Sequence, residues 1–298
     1  MTTPERPEKE PFELHVQRLV TEGKLTPEEA AELLAPAHPE PRSVSAAQPG
    51  TQGVQLAKAA PAPSGDTPPD LRLDVAGYAL QVLHDASLTE PRLTATHDGI
   101  LSLRATPDGW TVDQRSGTRL LGLKAVLSLP FAPRHARAEV SGGSLSLPTL
   151  SGTARLEVSG GNATLGGATE LRAEVSGGNL TSGAVTGSAT LEVNGGNLSV
   201  TGTTALHGEV NGGNLRWGGL LTDGHHRLEV NGGQATLTLD PGSDLTFDAD
   251  VTLGNVTSSF PVQKTGGMMH AHYHGTLGNG RAVLSCQVNA GQVRLVTT

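Results

Sequence analysis

Six near-identical segments, each ending in Gly-Gly, restrict this chain more than anything else in it. They are Arg137-Ala-Glu-Val-Ser-Gly-Gly143, Arg155-Leu-Glu-Val-Ser-Gly-Gly161, Arg172-Ala-Glu-Val-Ser-Gly-Gly178, Thr190-Leu-Glu-Val-Asn-Gly-Gly196, His207-Gly-Glu-Val-Asn-Gly-Gly213 and Arg227-Leu-Glu-Val-Asn-Gly-Gly233. Their valines, Val140, Val158, Val175, Val193, Val210 and Val230, are spaced by 18, 17, 18, 17 and 20 residues. Ser285-Cys-Gln-Val-Asn-Ala-Gly291 reads as a seventh, degenerate copy after an insertion. A fixed period of this length marks a repeat architecture in which one copy cannot bury its apolar face alone and must stack on the next.

Side chains alternate faces along a strand. If Val140 points inward, so does Ala138, and Arg137, Glu139 and Ser141 point outward. Gly-Gly permits a tight corner with positive φ. A second strand follows, with Leu145, Ala163, Leu180, Leu198, Leu215 and Ala235 as its first inward residues. Before each corner the inward residues are Ala138, Leu156, Ala173, Leu191, Gly208 and Leu228. Large faces small in five copies of six, as expected of two positions sharing one thin core layer. Stacked copies would place successive glutamates about 4.8 Å apart, with an arginine column two residues earlier on the same face to offset their repulsion. Two architectures fit: each copy is one rung of a solenoid, or each is a hairpin in a sheet, because Asn-Gly is a favoured two-residue turn. The regular columns favour rungs. The alternation of 17 and 18 residues requires a loop that absorbs one residue, with Gly166-Gly167 and Gly183 as candidates.

Other parts of the chain obey other periods. Phe12, Val16, Leu19 and Val20 form one helical stripe, and Gly23 stops that helix. Thr26-Pro27-Glu28-Glu29 carries an N-cap, a proline at the first helical position and a capping box. Ala30, Leu33 and Leu34 give the second helix its apolar face. Residues 36–69 are rich in Pro, Ala, Ser, Gln and Gly and read as a disordered linker. From Leu71 onward the period is 2, as in Leu71-Arg-Leu-Asp-Val75. The expected organisation is a disordered tail at 1–10, a helical hairpin at 11–35, the linker at 36–69 and an all-β solenoid at 70–298. Its regular copies cover 137–239 and its degenerate copy 285–296.

Composition agrees with a slim interior. Of 298 residues, 39 are Gly, 36% are hydrophobic and 3% aromatic, which suits a narrow core of Val, Leu and Ala better than a thick one. The formal charge of −8 and the lack of a basic run argue against a nucleic-acid partner. A single cysteine, Cys286, permits no internal disulfide, and it falls in the inward column, where an inert buried thiol is expected. No run of 18 apolar residues exists, and Met1–Glu10 lacks the basic start and apolar stretch of a signal peptide. The expected compartment is the cytoplasm, with the cell envelope or surface, reached by another route, as the alternative.

Met268-Met-His-Ala-His-Tyr-His274 is the sharpest chemical motif. A strand would put His270, His272 and His274 on one face, about 6.7 Å between consecutive ones, where they could converge on Zn²⁺ or another transition metal. The competing reading is a polar strand face. His225-His226 adds little, since neighbours on a strand point apart. Asp240, Asp244, Asp248 and Asp250 surround Pro241-Gly242 without the spacing of an EF-hand, so turn capping explains them best. No nucleophile elbow, P-loop or dinucleotide fingerprint appears in a supporting strand–helix context. The chain is expected not to be an enzyme and to need no cofactor beyond a metal at that trio. A hairpin of this size is too small to stand alone. Phe12, Val16, Leu19, Val20, Leu33 and Leu34 are therefore candidates for docking onto a partner, a second copy or the β-body.

Val126-Leu-Ser-Leu-Pro130, followed by Ala138-Glu-Val-Ser-Gly-Gly143 and the serial Ser-Gly and Asn-Gly turns, resembles the bacterial putative-adhesin β-strand-repeat family of unknown function. A closing strand such as Gly291-Gln-Val-Arg-Leu295 belongs to the same pattern. Val16 to Leu34 resembles the short helical module that precedes it in envelope-stress proteins of the YvlB-like and LiaX-like type. The doubled Gly-Gly and the Pro/Ala linker depart from the family pattern. The resemblance implies a non-enzymatic scaffold or interaction role near the cell envelope, and it carries no catalytic residues. A ligand-binding module for glycan, lipid or metal, and a self-polymerising solenoid, are the alternatives.

Overall fold

The computed structural model describes residues 12–35, 67–114, 122–267 and 269–298. The expected tail at 1–10 and residues 36–66 of the expected linker lie outside the described residues. Two short helices precede a body made of strands. The helices are α1 (Phe12–Thr21) and α2 (Pro27–Leu34). The first strands are β1 (Leu71–Val75), β2 (Tyr78–His84), β3 (Arg92–Ala95), β4 (Leu101–Thr106), β5 (Gly109–Gln114) and β6 (Lys124–Leu129). The repeats form β7 (Ala136–Thr149), β8 (Thr153–Ala168), β9 (Glu170–Val175), β10 (Asn179–Val185), β11 (Ser188–Val193) and β12 (Asn197–Thr203). They continue as β13 (Ala205–Val210), β14 (Asn214–Gly219), β15 (His225–Val230) and β16 (Gln234–Leu239). The chain ends with β17 (Leu245–Ser258), β18 (Val262–Gly266), β19 (Ala271–Leu277) and β20 (Ala282–Thr297).

The ladders run between copies. The segment before each corner pairs in parallel with the same segment of the next copy: Val140 with Val158, Val158 with Val175, Val175 with Val193, Val193 with Val210, and Val210 with Val230. The segments after the corners form a second parallel column, in which Ala163 pairs with Leu180, Leu198 with Leu215 and Leu215 with Ala235. All six valines are buried, at 1% exposure or less. Each layer therefore adds one strand segment to each of two columns and shares the interior between them.

Two side-chain facts explain the corners. The second glycine of each pair has positive φ, and a Cβ on Gly161, Gly178, Gly196, Gly213 or Gly233 would collide with the carbonyl oxygen of the equivalent glycine one layer before it. Only glycine lets the corners stack so closely. Asparagines flank the corners as two amide ladders. In one, Asn179 donates to Asn162, Asn197 to Asn179 and Asn214 to Asn197 at 2.7–2.9 Å. In the other, Asn211 donates to Asn194 and Asn231 to Asn211, both at 2.8 Å. The interior shows the size compensation directly. A Cβ on Gly208 would lie 3.1 Å from Leu228 Cδ1 and 3.5 Å from both Leu206 Cδ1 and Leu215 Cδ2, so three leucines fill the space that the glycine leaves.

The chain leaves sequence order at both ends. β20 pairs in register with β15 and β16 on one side, through Cys286–Leu228, Val288–Val230 and Val293–Ala235. On its other side it pairs with β17, which precedes it in the chain. β19 runs antiparallel to the first half of β17, and β18 to β19. At the opposite end β1 and β2 lie between β7 and the pair β5 and β6. There β4 runs antiparallel to β5 and β3 to β6.

The helices rest on this N-terminal end. The Thr26 capping box forms, with Glu29 N–H donating to Thr26 Oγ1 and Thr26 N–H donating to Glu29 Oε2. Phe12, Val16, Leu19, Leu25, Ala30 and Leu33 form one apolar cluster with Leu83 of β2 and Val126 of β6. Around it Lys24 Nζ pairs with Asp85 at 2.8 Å, and Gln81 donates to Glu29 at 3.2 Å. Lys124 Nζ donates to the carbonyls of Glu32 and Ala35, each at 2.6 Å, and so closes the C-terminal end of α2.

Candidate functional site

Along most of its height the outer face of the first column repeats. Arg137, Arg155 and Arg172 stand in one line, and Glu139, Glu157, Glu174, Glu192, Glu209 and Glu229 in the next. Arg137 pairs with Glu139 at 3.4 Å and reaches Glu157 at 3.9 Å; Arg155 pairs with Glu157 at 3.2 Å. Such exposed pairs contribute about 0–1 kcal/mol each, so the stripe keeps like charges apart more than it holds layers together.

The pattern breaks toward the C-terminal end, and the break is built from the line that held arginines. His207 replaces arginine and pairs across the ladder with Arg227, Arg227 with Ser285, Ser285 with Asp248, and Asp248 with His274. In the glutamate line, Glu229 is followed by Gln287, Asp250 and His272. The antiparallel run of β19 sets its histidines opposite the aspartates of β17. His274 Nδ1 lies 2.7 Å from Asp248 Oδ1, and His272 Nδ1 lies 3.0 Å from Asp250 Oδ1. His272 Nε2 is 3.7 Å from that same Asp248 oxygen. His207, His225, Arg227, Asp250, Ser285 and Gln287 line an adjoining groove of 430 Å³. The patch joins imidazoles, carboxylates and one guanidinium on an open surface.

Of the histidine trio, His272 and His274 share the exposed face of β19, and His270 is exposed just before the strand. Among the described residues no three His, Cys, Asp or Glu side chains come close enough to hold a metal ion. His225 is exposed and His226 buried, as alternation requires. Burial lowers the His226 pKa, and its ring bridges Leu206 N–H and the Asp223 carbonyl, which makes it a structural tie. Cys286 is buried in the inward column, and burial pushes its thiol pKa upward. Asp244 caps a turn: its carboxylate accepts from the backbone amides of Asn279, Gly280 and Arg281 and from Arg281 Nε at 2.8 Å. Burial pushes this carboxyl up, but Arg281 and those amides outweigh it and leave the pKa at about 2.

The apolar helical residues meet the body. Phe12, Val16, Leu19 and Leu33 are buried and Val20 is half-buried, while Leu34 stays 37% exposed. Sequence reasoning missed three things. The first is a further copy at the start of the body, Leu71-Arg-Leu-Asp-Val-Ala-Gly77, whose residues Leu71 to Val75 pair one for one with Ala136 to Val140. Its signal was an arginine two residues before an acidic residue, then valine, then glycine. The second is the pair of asparagine ladders, visible as asparagines at the repeat spacing. The third is the role of Asp248 and Asp250 opposite the histidines, for which the sequence offers only alternation on two strands of unknown register.

No family model matches the chain, and no curated protein matches it. Solved structures that match include a putative adhesin of Bacteroides fragilis NCTC 9343, at 9% identity over 78% of this chain and 93% of that one, with a TM-score of 0.41. Another is a putative cell adhesion protein of Clostridium sporogenes ATCC 15579, at 13% identity over 82% and 98%, with a TM-score of 0.24. A third is a putative adhesin of Parabacteroides distasonis ATCC 8503, at 9% identity over 76% and 92%, with a TM-score of 0.35. At such identity and superposition no residue role transfers from them.

Proposed function

We propose that this chain is a non-enzymatic interaction protein, a β-solenoid scaffold of three units: helical hairpin, linker and repeat body. Its working part is the hairpin, carried near the cell envelope in a stress response, with the cytoplasm as its resting compartment. The observation that carries this reading is how the hairpin is held. Among the described residues, Leu83 and Val126 of the body enter the hairpin's apolar cluster, and the polar ties around it include Lys24–Asp85, Gln81–Glu29 and Lys124 on two carbonyls. A module seated on the body through a small apolar cluster rimmed by polar ties is one a partner can displace with comparable contacts. Deletion of residues 12–35 is expected to preserve the β-type far-UV spectrum and to abolish recovery of the protein with membranes from stressed cells. Equal recovery of the deleted and full chains refutes the role given to the hairpin.

A second reading, a metal-binding cap, is favoured by one observation. Asp250 and Asp248 engage Nδ1 of His272 and His274, the arrangement in which carboxylates orient metal-bound imidazoles and direct Nε2 to the ion, with His272 Nε2 having to part from Asp248 at 3.7 Å. Titration calorimetry with Zn²⁺ should give a heat that disappears in H272A/H274A and weakens in H270A. An unchanged heat in the double variant ends this reading.

A further inference from the structure

The outer edges of the two columns are not protected alike. At the N-terminal end β5 is covered by β4 and β6 by β3. At the C-terminal end β19 covers β17 only from Leu245 to Val251. From Leu253 to Ser258, β17 pairs with β20 on one side and, among the described residues, with no strand on the other. The strands that form the outer covers each carry a feature that discourages pairing with another chain. β3 has four residues and begins with Arg92, β4 carries the exposed Arg104, and β18 carries Lys264. The uncovered stretch Leu253-Gly-Asn-Val-Thr-Ser258 has no charge and no proline.

Two further features sit at this edge. Leu253 is 59% exposed and Met269 72% exposed, two of the few large apolar side chains left open among the described residues. They lie two residues beyond the Val251–Ala271 pair that ends the β17–β19 ladder. A groove of 520 Å³ also runs along the outer face here, lined by Asn255, Thr257, Ser259, Gln292 and Arg294 among others.

We propose that residues 253–258 of β17 pair antiparallel with the same residues of a second copy across a two-fold axis, which joins the second columns of two chains into one sheet. The uncharged strand is self-complementary, as an isologous contact requires. Its free backbone groups supply the hydrogen bonds of strand addition. Leu253 and Met269 gain cover from water at the flanks of the contact. Because the same edge is used by both chains, association stops at two, and the stack does not polymerise head to tail. This inference is independent of the hairpin's role.

Size-exclusion chromatography with light scattering tests it on the full chain at about 100 μM, above a dissociation constant in the micromolar range. The expected mass is twice 30.6 kDa. N255K/T257K places exposed lysines on the groove face of this strand and should weaken dimerisation about a thousandfold, giving mostly the mass of one chain at this concentration with an unchanged far-UV spectrum. S102K, on the exposed face of β4, should leave the dimer intact. A single-chain mass for the unaltered protein, an open-ended distribution of larger masses, a dimer that survives N255K/T257K, or one lost in S102K would each overturn the proposal.

Discussion

At the N-terminal end β1 and β2 slot between β5/β6 and β7, whereas at the C-terminal end β20 slots between β15/β16 and β17. Both ends use the same manoeuvre. The chain skips a layer, folds antiparallel strands over the outermost one, and places a terminal strand in the gap. The physical reason is shared. A parallel stack ends in a row of unpaired backbone groups, and an antiparallel partner can reach them through a short turn. The ends differ in what the antiparallel strands reach. Both columns are covered at the N-terminal end, which also carries the helices, and one column at the C-terminal end is covered over half of β17. The middle of the molecule repeats itself, and individuality is confined to the ends: the hairpin on one, the histidine–aspartate patch and the free edge on the other.

The hardest way to break this comparison is to remove an inserted strand. Deleting residues 281–298 takes away β20 and strips ladder partners from β15, β16 and β17 at once. The layer beyond it, with its cap, then has no neighbour. Limited proteolysis followed by mass spectrometry is expected to show cleavage throughout 245–277, while 136–219 stays protected. Deleting 67–84 should produce the same loss at the opposite end, throughout 92–129. A truncated chain whose β17 stays protected would mean that β20 is not what joins the last layer to the stack.

A smaller effect separates the middle from the ends. Gly196 and Gly77 both sit at corners, with φ of +77° and +79°. An added Cβ at Gly196 meets the Gly178 carbonyl of the layer before, whereas at Gly77 nothing lies within 4 Å. G77A should cost about 1–2 kcal/mol, the strain of a left-handed backbone bearing a side chain. G196A should cost that strain and the separation of two stacked corners, more than about 1 kcal/mol beyond G77A. Urea unfolding of the two variants measures the difference, and equal midpoints would show that the corner stacking contributes nothing.

The legible and illegible parts of this chain divide along the same line. The inward valines and the Ala–Leu alternation were visible because they recur at a nearly fixed spacing, and the seventh copy at Ser285–Gly291 because it keeps the motif across an insertion. A recurring residue needs no partner to be interpreted. The place of β20 was not visible, since nothing in its sequence says that it pairs with β15 and β17 instead of following β19 outward. The copy at Leu71 was hidden because it has Asp74 for glutamate and Ala-Gly-Tyr for Ser-Gly-Gly. The histidines were readable as one face of a strand, but their pairing with Asp248 and Asp250 depends on an antiparallel register fixed by the turns between β17 and β19. The helical stripe was readable as apolar, and its seat on Leu83 and Val126 was not, because those side chains lie on the outer face of strands whose inner residues, Leu80, Val82, Ala125 and Leu127, fill the main core, and nothing in the sequence says which apolar residues face out.

The smallest effects come from acid, and they distinguish the ends by which part responds. Asp85 at the N-terminal end is held at about 2 by Lys24 and Ser87, against burial. Asp244 at the C-terminal end is also held at about 2. Both values lie below the ordinary 3.8, so each carboxylate adds stability that is fully present above that pH and drains away as the pH falls toward and through 2. Asp244 fixes the turn that feeds β20 into the gap, so its protonation acts on the whole C-terminal end. D244N should lower the melting temperature at neutral pH and flatten its fall between pH 4 and pH 2. Asp85 holds only the hairpin, through Lys24. D85N should leave the melting of the β-body unchanged and speed hydrogen exchange in Phe12–Thr21 and Pro27–Leu34 alone. Exchange that accelerates equally in β7 and β8 would mean that the hairpin and the body open together, and that the N-terminal end has no separable part.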